Sequence, residues 1–429
     1  MKRLTVHPGG RYLMWADGTP FFYLGDTAWE LFHKLTRGEI DHYLQVRAGQ
    51  GFNVIQAVAL AEKDGLRTPN AYGRLPLLDL DPMRPDLGGE YSYWAHVDWA
   101  VRRAAELGLF VALLPTWGDK YNLKWGDGPE VFTPENAGAY GEWLGARYRD
   151  DWNVIWMLGG DRPLESDAHV AVIDAMAAGL RRGDGGAHLM TFHPMGVHSS
   201  VDEVAGRAYI DFHTVQSGHG VEGYDSWRLV RRTGQAEPKP FMDAEPRYED
   251  HPACFRPDFG YIWNAEDVRQ NAYWDILEGT CGHTYGNHSI WVFNTTVQDY
   301  WPYRWEQVLH HPGAEQMRHL KALRLSRPYF ELRAAPELLA GASADDDAAM
   351  AHQAAARGES YAYIYSPLGQ PIRADLARLA ARPMRAAWFD PRSGAEAVLA
   401  IVPPRETLFV PPTAGKGCDW VLVLDVMPE

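Results

Sequence analysis

The chain has 429 residues, 46% hydrophobic and 23% charged, a composition that excludes a disordered or fibrous protein and leaves room for a sizeable core. Against 56 Asp and Glu stand only 41 Lys and Arg, a formal charge of −15 with no basic stripe, so no nucleic-acid partner is expected and polyanionic substrates are disfavoured.

In chain order, Leu13 to Pro20 reads as a hairpin turning at Asp17-Gly18, and Phe21 to Asp26 as an apolar strand ending in Gly25-Asp26. The spacing of Ile40, Tyr43, Leu44 and Val46 predicts a helix over 39–50, stopped by Gly51, and Asn53 to Val58 follows as the second strand. Residues 62–92, interrupted by four prolines, read as a long loop over a pocket. A helix over 93–107 ends at Gly108, strand three covers 109–114, and a loop with Trp117, Tyr121 and Trp125 leads to a helix over 134–148. Strand four, Asn153 to Gly159, is a continuous apolar run, as expected of a strand buried on both faces, and it breaks off in Gly159-Gly160-Asp161-Arg162.

A helix capped by Ser166 or Asp167 runs to the glycines at 183–186; strands over 188–193 and 209–215, a helix over 224–233, a strand over 240–244, a helix over 268–277, an eighth strand at 282–286 and a helical pattern at Met317, Leu320 and Leu323 complete the round. Eight such units predict an α/β fold of the (β/α)8 TIM-barrel type over residues 1–328, with the short β-hairpin at its N-terminus. Beyond Arg327-Pro328 the texture changes to period-two alternation at 360–366, with further strands near 388 and 420–424, which predicts a small antiparallel β-sandwich over 329–429. Gly341 to Ala356, with three consecutive aspartates, reads as a solvated loop.

Barrel chemistry sits at the C-terminal ends of the strands. Asp161 ends strand four and Glu245 ends strand seven, an arrangement that suits glycosidic cleavage, in which one carboxyl is kept protonated as acid and the other ionised as nucleophile or base. Asp26, Gln56, Trp117, His193, His213, Tyr285 and His288 also fall at or just beyond strand ends and are the candidate substrate-binding residues, with Asp26, Gln56 and His213 foremost. The 17 Trp and 21 Tyr supply flat rings that suit sugar faces, although most belong to the core. No HExxH and no His-x-His on strand one occur, so neither a catalytic metal nor another cofactor is expected.

The 3 cysteines, Cys254, Cys281 and Cys418, are widely spaced without a CxxC pair, which points to a reducing compartment rather than a disulfide framework. The basic start Met1-Lys2-Arg3 leads into no apolar segment and no run reaches ~18 apolar residues, so a cytoplasmic protein without a membrane partner is expected. Nothing in the pattern specifies an oligomer.

Several stretches together resemble the apiosidase-like barrel proteins of glycoside hydrolase family 140. They are Asp17-Gly18-Thr19-Pro20-Phe21-Phe22-Tyr23-Leu24-Gly25-Asp26-Thr27-Ala28-Trp29, Arg47 with Gly51-Phe52-Asn53-Val54-Ile55-Gln56, Trp156-Met157-Leu158-Gly159-Gly160-Asp161, Glu245-Pro246-Arg247-Tyr248-Glu249 and Gly282-His283-Thr284-Tyr285-Gly286. The tail resembles the collagen-binding-type β-sandwich that follows such barrels. The resemblance implies a retaining glycosidase with Asp161 as acid/base and Glu245 as nucleophile, acting on apiose-containing plant cell-wall glycans such as pectic oligosaccharides. The larger clan of barrel glycosidases ends strand four in Asn-Glu where this chain has Gly160-Asp161, which implies a different fit to the sugar. A carbohydrate-binding barrel without catalysis is the alternative reading, and retention of both carboxylates favours the enzyme.

Overall fold

The computed structural model describes residues 3–220, 225–340 and 349–428. Eight parallel strands, with a two-residue antiparallel strand (His198–Ser199) paired to the sixth, form one barrel sheet: β1 (Tyr23–Thr27), β2 (Val54–Val58), β3 (Phe110–Leu114), β4 (Val154–Gly159), β5 (Met190–His193), β6 (His213–Gln216), β7 (Phe241–Asp243) and β8 (Gly282–Tyr285). Each is followed by a helix: α1 (Arg37–Gly49), α2 (Tyr93–Glu106), α3 (Pro134–Tyr148), α4 (Asp167–Asp184), α5 (Ser200–Val204), α6 (Ser226–Ala236), α7 (Ala265–Leu277) and α8 (Pro312–Leu325). Their starts are marked in the sequence, with capping boxes at Thr36, Thr133 and Asn264 that satisfy otherwise orphaned backbone N–H groups.

Backbone pairing runs unbroken from β5 back through β1 to β8 and on to β6. At the β5–β6 seam the ladder gives way to one backbone bond, Asp211 N–H to the Met190 carbonyl at 2.8 Å, and to the Thr191 and Thr214 hydroxyls, which donate to the Phe212 and Phe192 carbonyls. Side-chain donors thus nearly close the barrel where the strands part. Its N-terminal end is plugged by a three-stranded antiparallel sheet (Leu4–Val6, Leu13–Trp15, Pro20–Phe21) whose Trp15 packs on Phe21, Phe110 and Trp152.

The C-terminal segment forms a six-stranded antiparallel sheet and a two-stranded one. Alternation along Tyr361–Ser366 sends Tyr361, Tyr363 and Tyr365 towards the barrel and Ala362 and Ile364 towards the small sheet, where Ile372, Ala374 and Phe409 meet them. Tyr363 donates to the Leu323 carbonyl of α8 at 3.0 Å, and Arg269 of α7 pairs with Asp419. Among the described residues no helix is long and apolar enough to cross a membrane.

Three expectations shift. Within the stretch read as a solvated loop, residues 341–348 lie outside the described residues, but Ala354–Arg357 is a buried strand paired with Tyr361–Ser366. Its four residues, AAAR, lack the large apolar side chains that announce a strand, although its alanines are buried between two layers. The helix expected at 224–233 runs over Ser226–Ala236, with Tyr224 outside the described residues. The sixth strand, expected over 209–215, is only His213–Gln216, which matters for His213.

Candidate active site

The turn after β4 is set by local backbone demands. Gly159 and Gly160 have φ of +88° and +116°, and a Cβ on either would meet the His193 carbonyl at 2.2 Å or the Gly118 nitrogen at 2.7 Å. Asp161 itself has φ +54°, a conformation that costs any residue with a Cβ some strain and that Asp tolerates better than most. The turn lifts its carboxylate into the mouth with the side chain 22% exposed, and the buried Arg162 guanidinium donates back to Asp161 Oδ2 at 3.1 Å. Trp125 Nε1–H, from the loop after β3, donates to the same oxygen at 3.1 Å.

Glu245, two residues past β7, has a side chain only 7% exposed. Three neighbours meet it: Tyr248 donates to Oε1 at 2.7 Å, His219 Nε2 lies 3.1 Å from Oε1, and His193 Nε2 lies 3.0 Å from Oε2. Tyr248 OH in turn accepts from Trp29 Nε1 at 3.1 Å, and His219 packs on the Tyr248 ring at 4.1 Å between centroids. Behind Glu245, Asp243 Oδ1 accepts from the backbone N–H of Glu245 at 3.1 Å and of Ser217 at 3.4 Å, tying the loops after β6 and β7 together.

The two carboxyls differ in proton affinity. Burial raises that of Asp161, the charge of Glu245 raises it further, and Arg162 only partly opposes them. Burial also acts to raise Glu245, but hydrogen bonds and charge from His193 and His219 together outweigh it and hold the carboxyl well below the usual range. Asp243, driven first by burial and then by the charge of Asp275, is pushed up to about 7. Among the described residues no cluster of three or more His, Cys, Asp or Glu has the arrangement to hold a metal ion.

Of the other residues singled out in the sequence, His193 and Trp117 join Asp161 and Glu245 in the mouth. Trp117 lies 5.7 Å from His193 and 5.1 Å from Trp29 between ring centroids, its Nε1 without a hydrogen-bond partner among the described residues. Gln56 points into the barrel interior beneath them, bonded to the Ala244 carbonyl at 2.8 Å and to Tyr23 and Thr284. Asp26 faces the other way: on β1 it points outward to α1, fully buried against Tyr43 at 2.5 Å and Arg47 at 2.6 Å.

Tyr285 is likewise outward-facing and donates to Glu249 at 2.6 Å, and His288 is stacked on Trp301 at 4.0 Å. His213 begins β6 instead of ending it, so it sits at the far end of the barrel, between Ser200 at 2.7 Å and Glu237 at 3.0 Å. The structure therefore does not bring Asp26, His213 or Tyr285 to the mouth. Sequence reasoning passed over His219, Tyr248, Trp29 and Arg162. Three of these lie within or beside motifs already quoted, and His219 has only its place in the Gly218-His219-Gly220 loop to mark it.

A parallel (β/α)8 barrel with two carboxyls of opposite proton affinity at the ends of β4 and β7 is the architecture of a glycoside hydrolase. The comparisons agree. The apiosidase-like catalytic-domain family matches residues 7–331, and residues 336–425 match a "Putative collagen-binding domain of a collagenase". The chain belongs to the apiosidase-like family and is a glycoside hydrolase. A solved glycoside hydrolase shares 31% identity at a TM-score of 0.90, over 100% of this chain and 98% of its own. A glycoside hydrolase family 5 structure from Bacteroides vulgatus ATCC 8482 shares 31% at 0.89, over 99% and 93%. No curated protein matches the chain.

Proposed function

We propose that the protein hydrolyses apiose-containing glycosides of plant cell-wall origin, pectic oligosaccharides among them, by double displacement. Asp161 is the acid/base and Glu245 the nucleophile. The observation that carries this reading is the contrast between them: Glu245 is held ionised by His193 and His219, while Asp161 is biased towards its protonated form. In the first step the Glu245 carboxylate attacks the anomeric carbon, the glycosidic C–O bond breaks, and the leaving oxygen takes the proton of Asp161. In the second, Asp161 takes a proton from water, which attacks the anomeric carbon, and Glu245 leaves as carboxylate.

Trp29 and Trp117, both nearly fully buried, pack on one another, and Trp29 packs edge-on against His193, an apolar backing that holds the imidazole in place. We further assign residues 1–328 to the catalytic barrel and 329–429 to the sandwich. The test is hydrolysis of a panel of aryl glycosides, apiosides included, and of pectic oligosaccharides, followed by proton NMR of the first-formed anomer. Retention is expected, matching carboxyls about 5–5.5 Å apart, whereas inversion requires about 6.5–9.5 Å and overturns the double displacement. Release of another sugar, but not apiose, overturns the substrate assignment alone.

A further inference from the structure

Trp125 stands apart from the other aromatic residues near the acid. It is 56% exposed, yet it is not a loosely held loop residue. Its neighbour Gly126 packs so closely on Asp119 and Arg162 that a Cβ there would come within 2.2 Å of the Asp119 Cβ. Asp119 accepts from Gly128 N–H at 2.8 Å, Glu130 from Leu123 N–H at 2.7 Å, and Asn122 donates to the Pro163 carbonyl at 2.9 Å. The loop that carries Trp125 is therefore pinned to the segment just after Asp161. The guanidinium carbon of the fully buried Arg162 lies 4.8 Å from the Trp125 ring centroid, and the exposure of the residue leaves indole surface open beside the acid.

The hydrogen bonds also distinguish the two oxygens of Asp161. Oδ2 accepts from both Trp125 Nε1–H and Arg162 Nη1–H, each at 3.1 Å. An oxygen engaged by two donors is the poorer seat for a proton, so the neutral carboxyl carries its proton on Oδ1. A general acid delivers that proton to the oxygen of the leaving group, so whatever surface adjoins the acid adjoins the leaving group too.

Resting on the assignment of Asp161 as the acid, we propose that Trp125 determines specificity for the leaving group: its exposed indole surface receives a cyclic leaving group such as a second sugar, and its Nε1–H orients Asp161 so that Oδ1 delivers the proton. The ring function and the N–H function separate in two variants. Trp125→Ala removes both, and Trp125→Phe keeps a ring and removes the donor. Because the N–H stabilises the ionised carboxyl, its loss raises the affinity of Asp161 for its proton and moves the basic limb of the kcat/KM profile to higher pH.

The experiment compares an apiosyl disaccharide, which needs both the proton and the platform, with apiosyl fluoride, whose leaving group needs neither a ring platform nor strong acid assistance. Trp125→Ala is expected to lose roughly 10- to 100-fold more kcat/KM on the disaccharide than on the fluoride. Trp125→Phe is expected to recover most of that loss with its basic limb shifted upward. Equal losses on the two substrates, or an unshifted limb in Trp125→Phe, overturn the proposal.

A second measurement is independent of turnover. In ¹⁵N-indole-labelled protein, the Trp125 resonance, identified by its absence from Trp125→Phe, is expected to titrate and to stop titrating in Asp161→Asn. An indole resonance indifferent to Asp161 overturns the proposal. Should the wild-type enzyme cleave neither apioside, the substrate assignment falls, while the indole titration still decides whether Trp125 governs the acid.

Discussion

The surroundings of Glu245 and of Asp161 are built on opposite plans. Glu245 is enclosed by groups from β5, the loop after β6 and the turn after β7, so its ionisation is a property of the assembled barrel. Asp161 stands on a strained Gly-Gly turn, partly open to solvent, with Arg162 and Trp125 at one oxygen and burial pressing it towards neutrality. Two carboxyls thus differ in proton affinity because His193 and His219 outweigh burial at Glu245, while at Asp161 burial and the charge of Glu245 outweigh Arg162. Asp26 is a third case. It too ends a strand, but on the outward face, where Arg47 makes it part of the scaffold.

The sharpest way to break this comparison is to remove each carboxyl. Glu245→Ala is expected to lower kcat by about 10⁵-fold or more, as removal of a nucleophile does. Asp161→Ala is expected to lower it by about 10²- to 10⁴-fold on an unactivated glycoside, the usual worth of a general acid. Both should unfold thermally near the wild-type temperature. Near-normal turnover in either variant would remove that residue from the mechanism.

Arg47→Met tests the third carboxylate. It leaves Asp26 buried without its partner, and breaking a buried pair in this way costs about 3–5 kcal/mol. The loss should appear in urea unfolding while kcat of the folded fraction stays the same. A fall in kcat with unchanged stability would return Asp26 to the substrate site.

A smaller effect is expected from Tyr248→Phe, which deletes one donor to Glu245 Oε1. With one fewer bond to its ionised form, Glu245 gains proton affinity, so the acid limb of kcat/KM should move to higher pH. A loss of roughly tenfold at neutral pH is a reasonable scale for one charge-assisted bond. An acid limb that does not move would mean that the histidines alone hold the carboxylate.

The smallest effect concerns Asp243, whose carboxyl is pushed up to about 7, mainly by burial. A carboxyl with a raised folded-state pKa binds its proton more tightly folded than unfolded. Its contribution is fully present below about pH 4 and is lost as pH rises through about 7. Asp243→Asn keeps an acceptor for the Glu245 and Ser217 N–H groups but cannot ionise. The variant is therefore expected to lose less melting temperature than wild type between pH 4 and 8, and parallel melting curves would exclude Asp243 as the source.

The alternation of apolar strands with capped amphipathic helices determined the barrel, because hydrophobic periodicity and capping are local and each strand–helix unit carries its own. The apolar run of β4 and the glycines after it likewise marked the turn on which Asp161 stands, since the positive φ angles of Gly159 and Gly160 suit few other residues. Strand ends alone said nothing about facing. Side chains alternate across a strand, so a boundary error or a one-residue difference in parity reverses the environment. Asp26 and Tyr285 point outward, and His213 begins its strand, for this reason. Only the tertiary structure decided which residues surround the acids: His193 and His219 reach Glu245 from 52 and 26 positions away in the chain, and Trp125 reaches Asp161 from 36. Barrel closure brings them together, and proton affinity depends on distance in space, to which sequence separation is no guide.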